Sequence, residues 1–482
     1  MLRKTNFYIN GAWIPPTLPN DFDVINPATE KPVCVISLGS SKDVNKAVTA
    51  AKNSFDIWNN TPIKERILKI EKLAEIYEIR VDEMAKAISM EMGAPIDLAI
   101  NSQAAAGIGH IRSFIRVLKE FKFEHYLRDD TPDEFLIHEA VGVCGLITPW
   151  NWPMNQVTMK VIPALGVGCT VVLKPSEIAP MSSLLFAEFM DEAGFLDGVF
   201  NLINGDGPTV GDAIGRHPDI DMISFTGSTK VGIGLTRSSA DTVKRVALEM
   251  GGKGANIIFA DANITEAVKR GAIHCFNNTG QSCNAPSRML VERSVYDEAV
   301  EIASTTAKNT AIGQPNEHGN HIGPLVSEAQ FNKVQDLIQS GIDEGARLVA
   351  GGIGRPDGFN RGYFVQATVF ADVNNSMRIA REEIFGPVLS IIPFDDEAEA
   401  IKISNDTKYG LTNYVQSGDI LRAQRISRHL RSGMVVFNGA SRHPESPFGG
   451  YKQSGKGREG GIYGLEEFLE VKAISGWNTV IR

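Results

Sequence analysis

The chain has 482 residues, more than one ordinary domain holds, so two or three compact units are expected. Hydrophobic residues make up 43% and charged residues 22%, which supplies a large core and excludes wholesale disorder. A formal net charge of -9, with no basic run interleaved with aromatics, excludes a polyanion-binding surface, so no nucleic-acid partner is expected.

Met1–Trp13 carries two early basic residues but no apolar stretch of the kind an export signal needs. The longest nearly apolar run, Val161–Leu173, is too short to span a bilayer, so no membrane partner is expected either. Cys34, Cys144, Cys169, Cys275 and Cys283 are spread without a CxxC or any metal-ligand rhythm. Free thiols, a cytoplasmic location and no bound metal are the corresponding expectations.

After a short extended N-terminus, residues 42–120 read as largely helical, with Val44, Ala47, Val48, Ala51 and Phe55 at helical spacing. Phe121–Tyr126, a turn cluster at Arg128–Asp133 and Phe135–Val143 then predict an antiparallel pair projecting from what precedes it. From Val141 the pattern becomes strand, helix, strand in quick alternation. Strands are predicted at Val141–Ile147, Thr170–Lys174, Val199–Ile203 and Met222–Phe225, and helices at Met154–Leu165, Ser183–Ala193 and Val210–Arg216. Thr229–Ser238 and Val243–Met250 complete a series that predicts a doubly wound α/β fold binding its ligand beyond the strand C-termini.

A second α/β alternation runs from Asn256 to Asn438. Its first helix opens with Asn263 and Glu266 in a capping-box-like spacing. Strands follow at Met289–Val291 and Val388–Pro393, and helices at Glu328–Ile342 and Glu397–Ser404. A Gly-rich stretch, Phe448–Gly461, leads to the tail Tyr463–Lys472.

Cys283 stands in FNNTGQSCNAPSR, flanked by small and polar residues. A free cysteine of pKa near 8.5 is only about 3% ionised at pH 7, so a nucleophilic Cys283 needs a local feature such as backbone amides or a base. Glu249 follows Val246–Leu248, read as the end of a strand, and precedes two glycines that let backbone approach a ligand. A partly buried glutamate there can act as a general base near neutrality. Phe225–Gly232 (FTGSTKVG) is a strand entering a helix whose free amides can hold a pyrophosphate, although no proper G-x-G-x-x-G occurs. Gly205-Asp206-Gly207 reads as a loop.

Together these segments resemble the aldehyde dehydrogenase superfamily over roughly residues 6–475. The resemblance implies a Rossmann-type cofactor domain (1–122 and 141–250), an α/β catalytic domain (251–455) and a β oligomerisation arm (123–140 and 456–482). It assigns Cys283 as nucleophile, Glu249 as base, and Asn151 with the Cys283 amide as oxyanion hole. Lys160 and Glu459 match a pair proposed to relay protons. Thr148, Pro149, Trp150, Lys174, Glu177, Gly227, Ser228, Gly232, Glu383 and Phe385 are implied to hold the cofactor. Glu177, facing the adenosine ribose, tilts the choice to NAD, with NADP left open. A homodimer or homotetramer is implied, with Glu470 supporting subunit contacts.

The function so implied is oxidation of an aldehyde to a carboxylic acid through a thiohemiacetal and a thioester. A CoA-acylating dehydrogenase of the same fold would not need Glu249. A non-catalytic structural member would tolerate loss of either reacting group, and both are present. Trp152, Gln156, Met159, Ser282, Asn284 and the loop Ala440–Ser446 are expected at the substrate entrance, where Arg442 could pair with a remote carboxylate.

Overall fold

The strand–helix alternation builds two mainly parallel sheets, in a computed structural model that describes residues 1–479. The first sheet centres on Val143–Ile147, with Thr170–Lys174 and Phe200–Leu202 on one side and Met222–Gly227 and Arg245–Met250 on the other, all parallel. Chain order therefore reverses at Val143–Ile147, and a crevice opens beyond its C-terminal end, where an open α/β sheet receives a ligand. Both faces are covered, so the strands are apolar throughout. Val143 and Ile147 enter one apolar layer, and Cys144 and Leu146 the opposite one.

The helix Pro153–Val167 starts with proline in its first turn and ends at Gly168, whose φ of 109° is left-handed. It is buried along nearly its whole length, which carries Lys160 into the interior. On the other face, Ser228 caps the helix Thr229–Ser238 by accepting from the Val231 amide.

The second sheet repeats the device. Ala255–Ile258 lies between Arg288–Glu292 and Thr412–Gln416, with Val388–Phe394, Thr368–Ala371 and Arg347–Ala350 beyond the former and Met434–Phe437 beyond the latter. Only Arg347–Ala350 pairs antiparallel. A third, antiparallel sheet joins Glu124–Tyr126, Glu134–Ala140 and the tail strand Leu469–Ser475. Residues 480–482, the end of the expected arm segment, lie outside the described residues.

Several expectations change in detail. The strand after the arm hairpin does not run on from it: Glu134–Ala140 stops, Gly142 turns at φ 126°, and Val143–Ile147 starts afresh in another sheet. The N-terminal stretch is not merely extended, because Phe7–Ile9 and Ala12–Ile14 form an edge of the first sheet. Glu249 lies inside its strand, not after it. Gly455–Lys456 pairs antiparallel with Leu248 and Glu249, so the start of the segment expected in the arm belongs to the first sheet. Gly461–Glu466 likewise packs on the helices Ala105–Glu120 and Pro153–Val167.

Candidate active site

The chain passes from the first sheet to the second through Gly251-Gly252-Lys253-Gly254. A Cβ at Gly251 would lie 2.0 Å from a Glu383 oxygen, one at Gly252 2.7 Å from the Cys283 carbonyl, and one at Gly254 2.2 Å from the Thr412 carbonyl. This crossing sets the C-terminal ends of the first sheet against the loops entering the second, and polar side chains gather in the cleft.

Cys283 follows a left-handed turn in which Asn278, Thr279 and Gly280 have φ of 52°, 56° and 71°. A Cβ at Gly280 would lie 2.1 Å from Gly386 backbone, so glycine is required there. Side chains hold the strained residues: Thr279 donates to the Gly323 carbonyl at 3.0 Å, and Gln281 Oε1 accepts from Val326 at 2.9 Å. Asn151 Nδ2 donates to the Gln281 carbonyl at 3.0 Å, which ties the loop after Val143–Ile147 to the cysteine turn. Trp152 adds a second tie, from its indole to Ser282 Oγ at 2.9 Å.

Cys34, Cys144, Cys169 and Cys275 are buried, and Cys283 alone is partly accessible. Burial, together with the carboxyls of Glu383, Glu249 and Glu459, pushes its thiol up to about 12, with its own backbone amide pulling back. The expected local help for ionisation is thus outweighed, because burial and then the converging acidic groups both oppose a charge on the sulfur. A base must take the proton as the sulfur attacks.

Strand alternation decides where Glu249 points. Val246, Leu248 and Met250 face one apolar layer, so Glu249 faces the other, toward the helix bearing Lys160. Lys160 donates to Thr226 Oγ1 at 2.7 Å and pairs with Glu459, both partners being buried. Burial, then the Glu459 charge, raises Glu249 well above the usual carboxylate range, while Lys160 and Arg458 pull it back. Glu249 Oε2 and Glu459 Oε2 have no hydrogen-bond partner, and a buried acceptor left so costs about 1–3 kcal/mol. Glu249, raised in this way, is suited to taking up a proton.

Beside Cys283 lies a cavity of about 210 Å³ lined in part by Pro149, Trp150, Asn151, Gly227, Ser228, Glu383 and Phe385. Glu383 accepts from the Gly252 amide at 3.1 Å, and Phe385 meets Trp150 edge to face at 5.4 Å. Phe385 is itself left-handed at φ 59°, held by Gln330, which donates to the Ile384 and Phe385 carbonyls at 3.0 and 2.8 Å. Lys333 and Gln330 also line this cavity; nothing in their helical sequence context marks them.

A dinucleotide fits this cleft on three observations: the capped helix start at Ser228, the buried unpartnered hydroxyl of Thr148, and the glycine crossing that a side chain would fill. Lys174 directs its ammonium to the Pro175 and Gly205 carbonyls at 2.8 and 2.5 Å and to Glu177 at 3.4 Å, leaving the Glu177 side chain partly exposed beyond the strand end. Gly232 does not line the cavity. A Cβ there would lie 2.4 Å from Met250 Sδ, so it serves close helix–strand packing.

Asn284, next to Cys283 in the chain, lines with Tyr414, His274, Arg270 and Arg442 a separate open groove of about 630 Å³. Tyr414 donates to the Asn284 carbonyl at 2.8 Å. Arg442 lies over the Phe448 ring at 5.0 Å, donates to the Ser446 carbonyl at 3.2 Å, and has no carboxylate partner among the described residues. Glu445 of the same loop is taken by Arg116 at 2.8 Å. Gln156, expected at the entrance, lines the cavity on the Trp150 side instead, and Met159 is buried. Glu470 pairs within the chain, with Arg245 at 2.7 Å.

The family model described as the aldehyde dehydrogenase family matches residues 13–474. A 3-succinoylsemialdehyde-pyridine dehydrogenase from a Pseudomonas species is 53% identical, over 98% of each chain. The crystal structure of an aldehyde dehydrogenase from Bartonella henselae superposes with a TM-score of 0.98 at 59% identity, covering 99% of this chain and 100% of that one. Aldehyde dehydrogenase C from Pseudomonas syringae, crystallised as a mutant with NAD+ and octanal, superposes at 0.97 with 46% identity, over 99% and 98%.

The raised thiol has a measurable consequence. The thiolate fraction grows as pH rises toward a pKa of about 12. Inactivation of the cofactor-free protein by iodoacetamide should therefore accelerate about tenfold per pH unit across neutral and mildly alkaline pH. A rate that levels off below pH 8 would contradict the acidic surroundings described for Cys283.

Proposed function

The chain belongs to the aldehyde dehydrogenase family and is an NAD-dependent aldehyde-oxidising enzyme, and we propose that Cys283, Asn151 and Glu249 divide its chemistry among them. One observation carries the reading: Cys283 and Asn151 share a cavity with the cofactor-type residues Ser228, Glu383 and Phe385, while the buried Glu249 acts on the same sulfur.

Cys283 Sγ bonds to the aldehyde carbon as its proton leaves to a base, and the carbonyl electron pair moves onto oxygen. Asn151 Nδ2 has two hydrogens, and only one is used by the Gln281 carbonyl. The other, with the Cys283 amide, stabilises the oxyanion, and losing one such donor costs about 2.7–4 kcal/mol of barrier. As the oxyanion pair re-forms the carbonyl, a hydride leaves the carbon, and a bound NAD+ would supply the acceptor for it. Cys283 is then a thioester. Glu249 takes a proton from the water that attacks it, the carbon–sulfur bond breaks, and the acid leaves. Lys160 and Glu459 lead that proton away through the buried cluster.

Thr148, Pro149, Trp150, Gly227 and Ser228 hold the dinucleotide, and Glu383 and Phe385 its nicotinamide end. Glu177, oriented by Lys174, accepts from the ribose hydroxyl and favours NAD over NADP. The sheet of Glu124–Tyr126, Glu134–Ala140 and Leu469–Ser475 supports an arm for a homodimer or homotetramer. Free cysteines throughout support a cytoplasmic enzyme, and no helix of the described residues is long and apolar enough to cross a membrane.

The substrate is an aldehyde with an anionic group at its far end. The guanidinium of Arg442, without a carboxylate partner in the groove that begins at Asn284, supports this, and a relative named for a semialdehyde supports a second polar function.

Two experiments test the reading. Glu249→Gln should release a burst of reduced cofactor near one per active site and then turn over at least about a hundredfold more slowly, because only deacylation needs activated water. Steady turnover at the parent rate would remove Glu249 as the base. For the substrate, kcat/KM for an ω-oxo acid should exceed that for its methyl ester in the parent, and Arg442→Ala should erase the difference. An unchanged ratio would leave Arg442 without a part in recognition.

A further inference from the structure

From Ile96 to Glu120 the chain is helical, interrupted by a π-helical turn at Ala99–Ala104. Such a turn breaks the regular hydrogen-bond ladder and re-aims the side chains that follow, and π turns gather at functional sites. Here it delivers Gln103, fully buried, to the back of the cysteine turn.

Gln103 Nε2 donates to Asn278 Oδ1 at 3.0 Å, with Met92 Sδ at 3.3 Å and the Asn151 carbonyl at 3.5 Å within reach. Asn278 Nδ2 in turn donates to the Asn151 carbonyl at 3.0 Å and the Gln281 carbonyl at 3.3 Å. Asn151 Nδ2 closes the ring on that same Gln281 carbonyl at 3.0 Å. Gln103, Asn278, Asn151 and Gln281 are all at most 4% exposed, so water cannot replace a lost partner cheaply. Asn278 has the left-handed φ of 52° and would relax without its amide contacts.

We propose that Gln103 is a positioning residue for the oxyanion site: through Asn278 it fixes the Asn151 amide against the Gln281–Cys283 backbone. The hydrogen-bond partners of Gln103 are Met92, Asn278 and the Asn151 backbone, none of them a residue assigned to the cofactor. The inference rests on the reading of Asn151 as an oxyanion donor.

Gln103→Met keeps the volume and removes the donor. Single-turnover hydride transfer, followed as reduced cofactor, should slow by about 10- to 100-fold, the scale of a displaced catalytic group. The Kd for NAD+ should stay at the parent value. Asn278→Gly, in which glycine accepts the left-handed φ, should show the same loss and carries the test if Gln103→Met does not fold. In an Asn151→Ala background neither change should slow the reaction further, because the group they position is already gone. A parent-like rate, a loss that multiplies with that of Asn151→Ala, or a Kd for NAD+ rising in step with the rate loss would each overturn the proposal. A parent-like rate in Asn151→Ala alone would instead sink the oxyanion reading, and this inference with it.

Discussion

Everything at the site depends on the glycine crossing at Gly251–Gly254. The last strand of the first sheet and the first strand of the second are joined by four residues, three of them with no room for a Cβ. Backbone and side chains from the second half, the Cys283 carbonyl, Glu383 and Thr412, come into van der Waals range of that link. A longer or bulkier connection would separate Glu249 from Cys283, and neither could act on one substrate. The crossing also explains why two sheets of the same general construction do different work. In the proposed chemistry the first offers its strand C-termini to a dinucleotide, and the second offers the loops that precede its strands to the aldehyde.

The second constraint is electrostatic. Burial and three carboxyls raise the Cys283 thiol, and burial with Glu459 raises Glu249. An ionised cysteine at rest would be open to oxidation and alkylation, whereas a protonated one acquires its charge only as a base removes the proton. Glu249, held above the usual carboxylate range by burial and Glu459, is suited to take a proton from the water that attacks the thioester. Lys160 keeps this from being a cluster of like charges alone, and its hydrogen bond to Thr226 fixes it against the first sheet.

Much of this was legible in the sequence. The alternation of apolar strands and helices located the five parallel strands of the first sheet, since strands buried on both faces read as unbroken apolar runs. The setting of Cys283 and Glu249 among small residues marked them out. Thr412–Gln416 was not legible, because it buries Thr, Asn and Gln whose partners lie far off: Asn413 pairs with Ser432 at 3.1 Å and Gln416 with Asn256 at 2.9 Å. The three-residue strands near the N-terminus are too short to show a period, and their partner Leu202 is remote. The direction of the Cys283 shift was hidden for the same reason, since Glu249, Glu383 and Glu459 meet only in the folded chain. Gln103 and Asn278 carry no local signature at all, being ordinary amides until the π turn and the left-handed turn bring them together.

The account stands most directly on a covalent bond at Cys283. Acid quench of Glu249→Gln after mixing with NAD+ and an oxidisable aldehyde, followed by proteolysis and mass spectrometry, should find the acyl group on the peptide containing Cys283, and only when NAD+ is present. Acylation at any other cysteine, or an unmodified Cys283 peptide in a sample that has released its reduced cofactor, would contradict it.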